Sequence, residues 1–220
     1  MRKAFSLIEL VIVIVVIGIL AVNFIPRIDR DNRTAAMNHI LTMIRYTQNL
    51  ALHDDKQDRD NPKWQKKFWK FKISKCQNEN KYYFIIGSDT DTNGYIKKEE
   101  TAIDPSNGKY LYSGNNCKTE SKNPNKSPNV FLDKYGINSV TFSSCAGDST
   151  GSNTNKHIGF DKFGRVYKNF ENADSDKPNY KSYRRTDCRI TFGFENSDQN
   201  FTIRVKTETG YAFVEENPNL

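Results

Sequence analysis

Hydrophobic positions along the chain fall into three successive patterns. From Phe5 to Ile25 the only polar side chains are Ser6, Glu9 and Asn23. A helix over this run reaches about 30 Å at 1.5 Å per residue, which matches the hydrocarbon core of a bilayer. Beyond Pro26 the pattern turns amphipathic. Met37, Ile40, Leu41, Ile44 and Ala51 share one helical face and Asn38, Thr42, Arg45 and Asn49 the other, so this stretch predicts a helix lying on a folded head. After Asp54 short alternating segments appear, separated by Asn, Gly, Ser and Pro, and they predict antiparallel strands. Trp69, Phe71 and Ile73 alternate with Lys70 and Lys72. Tyr83 and Ile85, Val140 and Phe142, Ile158 and Phe160, Ile190 to Phe194, and Phe201 to Val205 continue the series. The stretches 114–128, 147–155 and 169–179 read as mobile loops.

These patterns predict an α+β chain in which one long N-terminal helix packs on an antiparallel sheet. The expected boundaries are a leader over 1–4, an apolar helix over 5–26, an amphipathic stem over 27–56 and a β-rich head over 57–220. A length of 220 residues suits one head plus the helix. Met1-Arg2-Lys3 puts positive charge ahead of the apolar run, which holds that end on the cytoplasmic side and makes the chain single-pass. An ordinary signal peptide shares this start, but two features oppose it. Glu9 lies inside the apolar run, where a carboxylate costs up to about 3 kcal/mol. The exit at Ala21-Val22-Asn23-Phe24 is a poor small-x-small cleavage site.

Lys3-Ala4-Phe5-Ser6-Leu7-Ile8-Glu9-Leu10, followed by a Val/Ile run, resembles the prepilin motif of type IV pilins and type II secretion pseudopilins. The resemblance implies cleavage between Ala4 and Phe5 by a prepilin peptidase, N-methylation of Phe5 and retention of the apolar helix. Ala4 departs from the Gly usual before the cut but is also small. Glu9 occupies the acidic position that meets the new amine of a neighbouring subunit in that family, and Pro26 falls where pilins carry a helix-loosening proline. The implied fold is pilin-like. The implied partners are other pilin or pseudopilin subunits, the peptidase and an inner-membrane assembly platform. The implied location is the bacterial inner membrane, with the head in the periplasm or on an extracellular filament.

Two Gly-turn hairpins, Phe160 to Val166 and Val205 to Tyr211, together with Ile44 to Ala51 on the stem, resemble the GspH/FimT minor pseudopilins. A competence pseudopilin that takes up DNA shares every N-terminal feature. The Gly-Arg-x-Arg turn associated with DNA binding in that family is absent, since Gly210 is followed by Tyr211-Ala212-Phe213.

The remaining chemistry is sparse. The segment Asp89 to Glu100 fits a twelve-residue calcium loop. Asp89, Asp91 and Asn93 supply oxygens, Gly94 the bend, Tyr95 its carbonyl and Glu100 a bidentate carboxylate. A membrane-anchored calcium module that never polymerises is therefore a second class of function. Cys76, Cys117, Cys145 and Cys188 show no metal or redox spacing, and behind a membrane-directing N-terminus they read as disulfides. Three pairings exist, of which Cys76 with Cys117 and Cys145 with Cys188 each close within one half of the head. The net charge of +7 permits nucleic acid as a partner. Lys63, Lys66, Lys67, Lys70 and Lys72 beside Trp64, Phe68 and Trp69 are the candidate surface for it, with core packing the favoured reading. Gly147 to Gly151 matches a hydrolase GxSxG string without the required strand and helix around it, and His39, His53 and His157 have no ligand spacing, so an enzyme is not expected.

Overall fold

The computed structural model describes residues 7–77, 79–144, 155–167, 183, 185–195 and 197–215, with the backbone alone at 21–31, 155 and 197. Helix α1 runs Leu7–His53 and passes Pro26 without a break. Its C-terminal half buries Ala36, Ile40, Met43, Ile44, Thr47 and Ala51. These positions recur at the three- and four-residue spacing of one helical face, while Asn38, Thr42, Arg45 and Asn49 stay exposed. Met37 and Leu41 sit half-buried at the edge of that stripe.

The head is built of two antiparallel sheets where the alternation alone suggested one. The first has the order β2-β1-β4-β5, with β1 at Trp69–Lys75, β2 at Tyr82–Gly87, β4 at Asn155–Phe160 and β5 at Val166–Tyr167. The second has the order β3-β6-β7-β8, with β3 at Ile137–Ser143, β6 at Cys188–Phe194, β7 at Phe201–Val205 and β8 at Ala212–Glu215. Helix α1 touches β1, β2 and β4 of one sheet and β8 of the other, so its buried stripe joins the two into one core. Burial alternates along β6 and β7 as the sequence predicts: Cys188, Ile190 and Phe192 point in, as do Phe201, Ile203 and Val205. Strand β1 breaks the rule. Lys70 is 0% exposed, because it lies between Gly87 of β2 and Gly159 of β4 with the acidic loop after β2 close by.

The stretch 114–128 is tied down, unlike the loop expected there. It carries the short helix α2, Cys117–Glu120, and Cys117 is bonded to Cys76 at the end of β1. Lys126 pairs with Glu120, and Tyr110 bridges to Lys126. Cys188 is also disulfide-bonded, whereas Cys145 and most of 147–155 and all of 169–179 lie outside the described residues.

Both Gly-turn hairpins form, and they meet on α1. Gln48 Nε2 donates to the carbonyls of Gly164 (3.3 Å) and Thr209 (2.5 Å). Arg45 donates twice to the carbonyl of Ala212, at 3.1 and 2.8 Å. Gly164 and Gly210 both have positive φ, and any Cβ at Gly210 would collide with the carbonyl oxygen of Gly164 and with Gln48.

Candidate functional site

Over residues 7–20 α1 is apolar on every side but for Glu9, and its side chains are exposed. Leu7, Ile8 and each large apolar residue from Leu10 to Leu20 are exposed, at 46 to 81% of their surface. A soluble head has no reason to carry such a helix, since exposed apolar patches of this extent mark a membrane or an assembly surface. Glu9 is exposed within it. Ala4 and Phe5 lie outside the described residues, and Pro26 is described by its backbone alone. Among the described residues no helix is long and apolar enough to cross a membrane; the run from Phe5 to Ile25 begins before them, and from 21 to 25 only its backbone is described.

On the head, β2 leads into the acidic loop. Asp89, Asp91 and Glu100 bring carboxylate oxygens within 4.8 Å of one another. Gly94 takes φ +92° at the bend and Thr92 φ +60°. Asp89 is 0% exposed and accepts from the N–H groups of Asn93 (3.1 Å) and Gly94 (2.9 Å). Glu100 Oε1 accepts from the Thr90 N–H (2.9 Å) and hydroxyl (2.6 Å), and Glu100 Oε2 from the Lys97 N–H (2.8 Å). Ile96 is buried and anchors the loop, while Tyr95 is exposed. Gly87 has no room for a side chain, since a Cβ there would strike Ile96 and the Glu100 carbonyl.

Three carboxylates this close repel one another, and the loop answers in different ways. Burial pushes the Asp89 carboxyl up, against the Gly94 hydrogen bond and the charge of Lys70. Lys97 sits on Asp91 and holds it below the usual carboxylate range. Burial pushes Glu100 up as well, but the donors of Thr90, Lys97 and Asp91 outweigh it and leave it lowered. The donor set is all oxygen, which suits a hard cation such as calcium and not a transition metal. The sequence pattern singled out Asp89, Asp91 and Glu100, whose carboxylates the fold brings together, but not Lys70, whose charge acts on Asp89 from the neighbouring strand.

The N-terminus decides the comparison with known proteins. A family model described as the prokaryotic N-terminal methylation motif matches residues 1–22. The match supports a type IV pilin-like N-terminus and implies that this end is membrane-anchored. No curated protein and no solved structure matches the chain.

The other candidates resolve into packing. Trp64 and Phe68 are buried with Tyr167 in a small cluster, so the stretch 63–72 offers neither ring for base stacking. Trp69 is half-buried and donates its Nε1 to Asp54 at 2.8 Å. The string Gly147 to Gly151 lies outside the described residues. His39 on α1 packs against Phe84 and Tyr135 of the head, bonded to the Asn129 carbonyl at 3.0 Å, and burial lowers its pKa.

Proposed function

We propose that this chain is a structural pilin-type subunit, a minor pseudopilin of the GspH/FimT kind. Prepilin peptidase cuts it between Ala4 and Phe5, Phe5 is methylated, and the subunit joins a type II secretion pseudopilus or related type IV filament at the bacterial inner membrane. The observation that carries this reading is the methylation motif over 1–22 continuing into a helix whose apolar surface is exposed on all sides. The role needs no catalytic group. Its partners are other pilin or pseudopilin subunits and the assembly platform, with Glu9 supplying the carboxylate that meets a neighbour's Phe5 amine and Pro26 loosening the helix. Mass spectrometry of the membrane-extracted chain tests the processing step. The expected N-terminus is methylated Phe5; retained Met1-Arg2-Lys3, or a start beyond Asn23, contradicts it.

The clustered Asp89, Asp91 and Glu100 favour a second role for the head, the binding of one calcium ion with Asn93 and the Tyr95 carbonyl as further ligands. A single loop between a strand and a 3-10 turn lacks the paired helices of a calcium switch, so the ion staples the loop. The DNA-uptake reading has less support, because Trp64 and Phe68 are buried. Salt-sensitive DNA affinity of the purified chain would revive it.

A further inference from the structure

One titratable ring fills a joint between the stem helix and the head. His39 on α1 is half-buried, and its ring centre lies 5.7 Å from that of Phe84 on β2 and 5.8 Å from that of Tyr135 in the turn Asp133–Tyr135. Its Nε2 is 3.0 Å from the Asn129 carbonyl oxygen. A carbonyl can only accept, so Nε2 carries the hydrogen and, in the neutral ring, Nδ1 carries none. Asn129 is the hub on the other side of the joint. Its side-chain amide donates to Asp104 (2.9 Å) and Ser106 (3.0 Å), its Oδ1 accepts from Lys134 (2.9 Å), and its backbone N–H donates to the Ser127 hydroxyl (3.1 Å). The bond from His39 thus ties the helix to a segment, 127–135, that is itself tied to Asp104.

The charges on each element around the ring favour its neutral form. Helix α1 carries no charged residue from Ala35 to Met43 besides His39 itself. On β2 the ring meets Phe84, and the hydroxyl of the adjacent Tyr83 is engaged with Asn115. In the turn, Lys134 is a cation whose charge opposes a second one, Asp133 is paired with Lys81 (3.4 Å), and burial keeps the Tyr135 hydroxyl protonated. Asp104 pulls the other way, but it already accepts from Ser106, Ser127, Asn107 and Asn129. Burial is the largest influence and lowers the His39 pKa, against the Asn129 carbonyl and Asp104 and with the help of Lys134.

We propose that His39 is an acid-sensitive latch between the stem helix and the 127–135 segment, closed while its ring is neutral and loosened when Nδ1 takes a proton from solvent. The charged ring is a second cation beside Lys134, half-buried against Phe84 and Tyr135 where water cannot fully solvate it. Its folded value lies below the free value near 6.5, so the unfolded joint binds the proton more readily. The latch is therefore complete above about pH 6.5 and is lost as pH falls through the folded value. The other end of the helix contact, where Gln48 holds the two Gly turns, contains no such group and stays closed. The latch is independent of what the stem assembles into.

Hydrogen–deuterium exchange of the detergent-solubilised full-length chain, compared between about pH 7.5 and about pH 5.5 after correction for intrinsic rates, tests the latch. Exchange over 129–135 is expected to rise several-fold in acid while β6 and β7 stay protected. His39→Gln keeps a donor for the Asn129 carbonyl but takes no proton, and should show the same low exchange at both pH values. Lys134→Met should shrink the rise, since it removes the cation that opposes a charged ring. In the unaltered chain, the His39 ring followed by NMR should take up its proton at lower pH than a histidine in an unfolded peptide, and this measurement decides if the variants do not fold. An equal rise in His39→Gln, no rise in the unaltered chain, or a ring that titrates at or above the peptide value overturns the proposal.

Discussion

Asp104 gathers more hydrogen bonds than any loop acid around it. It is buried and accepts from the Ser106 N–H (2.9 Å) and hydroxyl (2.7 Å), the Ser127 hydroxyl (2.5 Å) and the amides of Asn107 (3.1 Å) and Asn129 (2.9 Å). Burial pushes its carboxyl up, but these donors prevail and hold it below the usual range. Asp104→Ala leaves several buried donors without an acceptor, so a loss of about 3 kcal/mol is expected in urea melts of the detergent-solubilised chain. Loss of less than about 1 kcal/mol would show that water replaces the carboxylate. The acidic loop offers a second residue-scale test. A calcium ion bound as proposed would have to displace Lys97 from Asp91, so Lys97→Gln should tighten calcium binding about fivefold, in line with the worth of an exposed ion pair. Calcium at millimolar concentration should raise the melting temperature. No rise, or an equal rise in the Asp89→Ala, Glu100→Ala double variant, removes the ion from the account.

At the level of elements, local pattern and long-range pairing divide the work. Alternation identified the long strands of both sheets, because burial on one face is written in every second residue. It did not say which strands share a sheet, since pairing depends on partners far away in sequence. Lys70 shows the limit most sharply. Its place in the alternation reads as solvent-facing, yet Gly87 and Gly159 on either side leave it covered, and its electrostatic neighbour Asp89 lies beyond another strand. The stretch 114–128 misled for a similar reason, since Asn, Lys and Pro say loop while the bond from Cys117 to Cys76 fixes it. Closing a loop of sequence separation 41, that bond should contribute about 4 kcal/mol by restricting the unfolded chain. The Cys76→Ser, Cys117→Ser variant is expected to melt earlier by that measure.

The charge ladder on the second sheet makes a pH prediction. Asp187 accepts from Lys206 (2.9 Å), Arg204 (2.8 Å) and the Thr207 N–H (3.2 Å). Burial raises its carboxyl, but these partners win and pull it to about 2. The folded value lies below the unfolded one near 3.9, so this contribution is complete above about pH 4 and is lost as pH falls towards 2. Asp187→Asn should flatten the acid limb of the stability curve over that window. An unchanged limb would show that the ladder is screened by solvent.

On the scale of the whole molecule, the chain joins two materials that only make sense together. From Leu7 to Leu20 α1 exposes apolar side chains on every side, and the head clamps the same helix through Ile40, Ile44, Arg45 and Gln48. The prepilin-like motif and the helix were legible from the first residues, because a carboxylate in an apolar run and a basic start are local signals. The meeting of the two Gly turns on Gln48 was not, since it depends on contacts between residues far apart in sequence.

The claim that the helix assembles, and does not merely anchor, is tested most directly by Glu9→Val in cells that build the filament. If the carboxylate meets the amine of a neighbour's Phe5, the substitution strands that charge in an apolar bundle, at a cost of about 3 to 5 kcal/mol per contact. The variant should be cleaved between Ala4 and Phe5 and remain in the inner membrane, yet be absent from sheared filaments and from crosslinked complexes. Incorporation at the level of the unaltered chain would contradict the account and leave a membrane-anchored calcium module in its place.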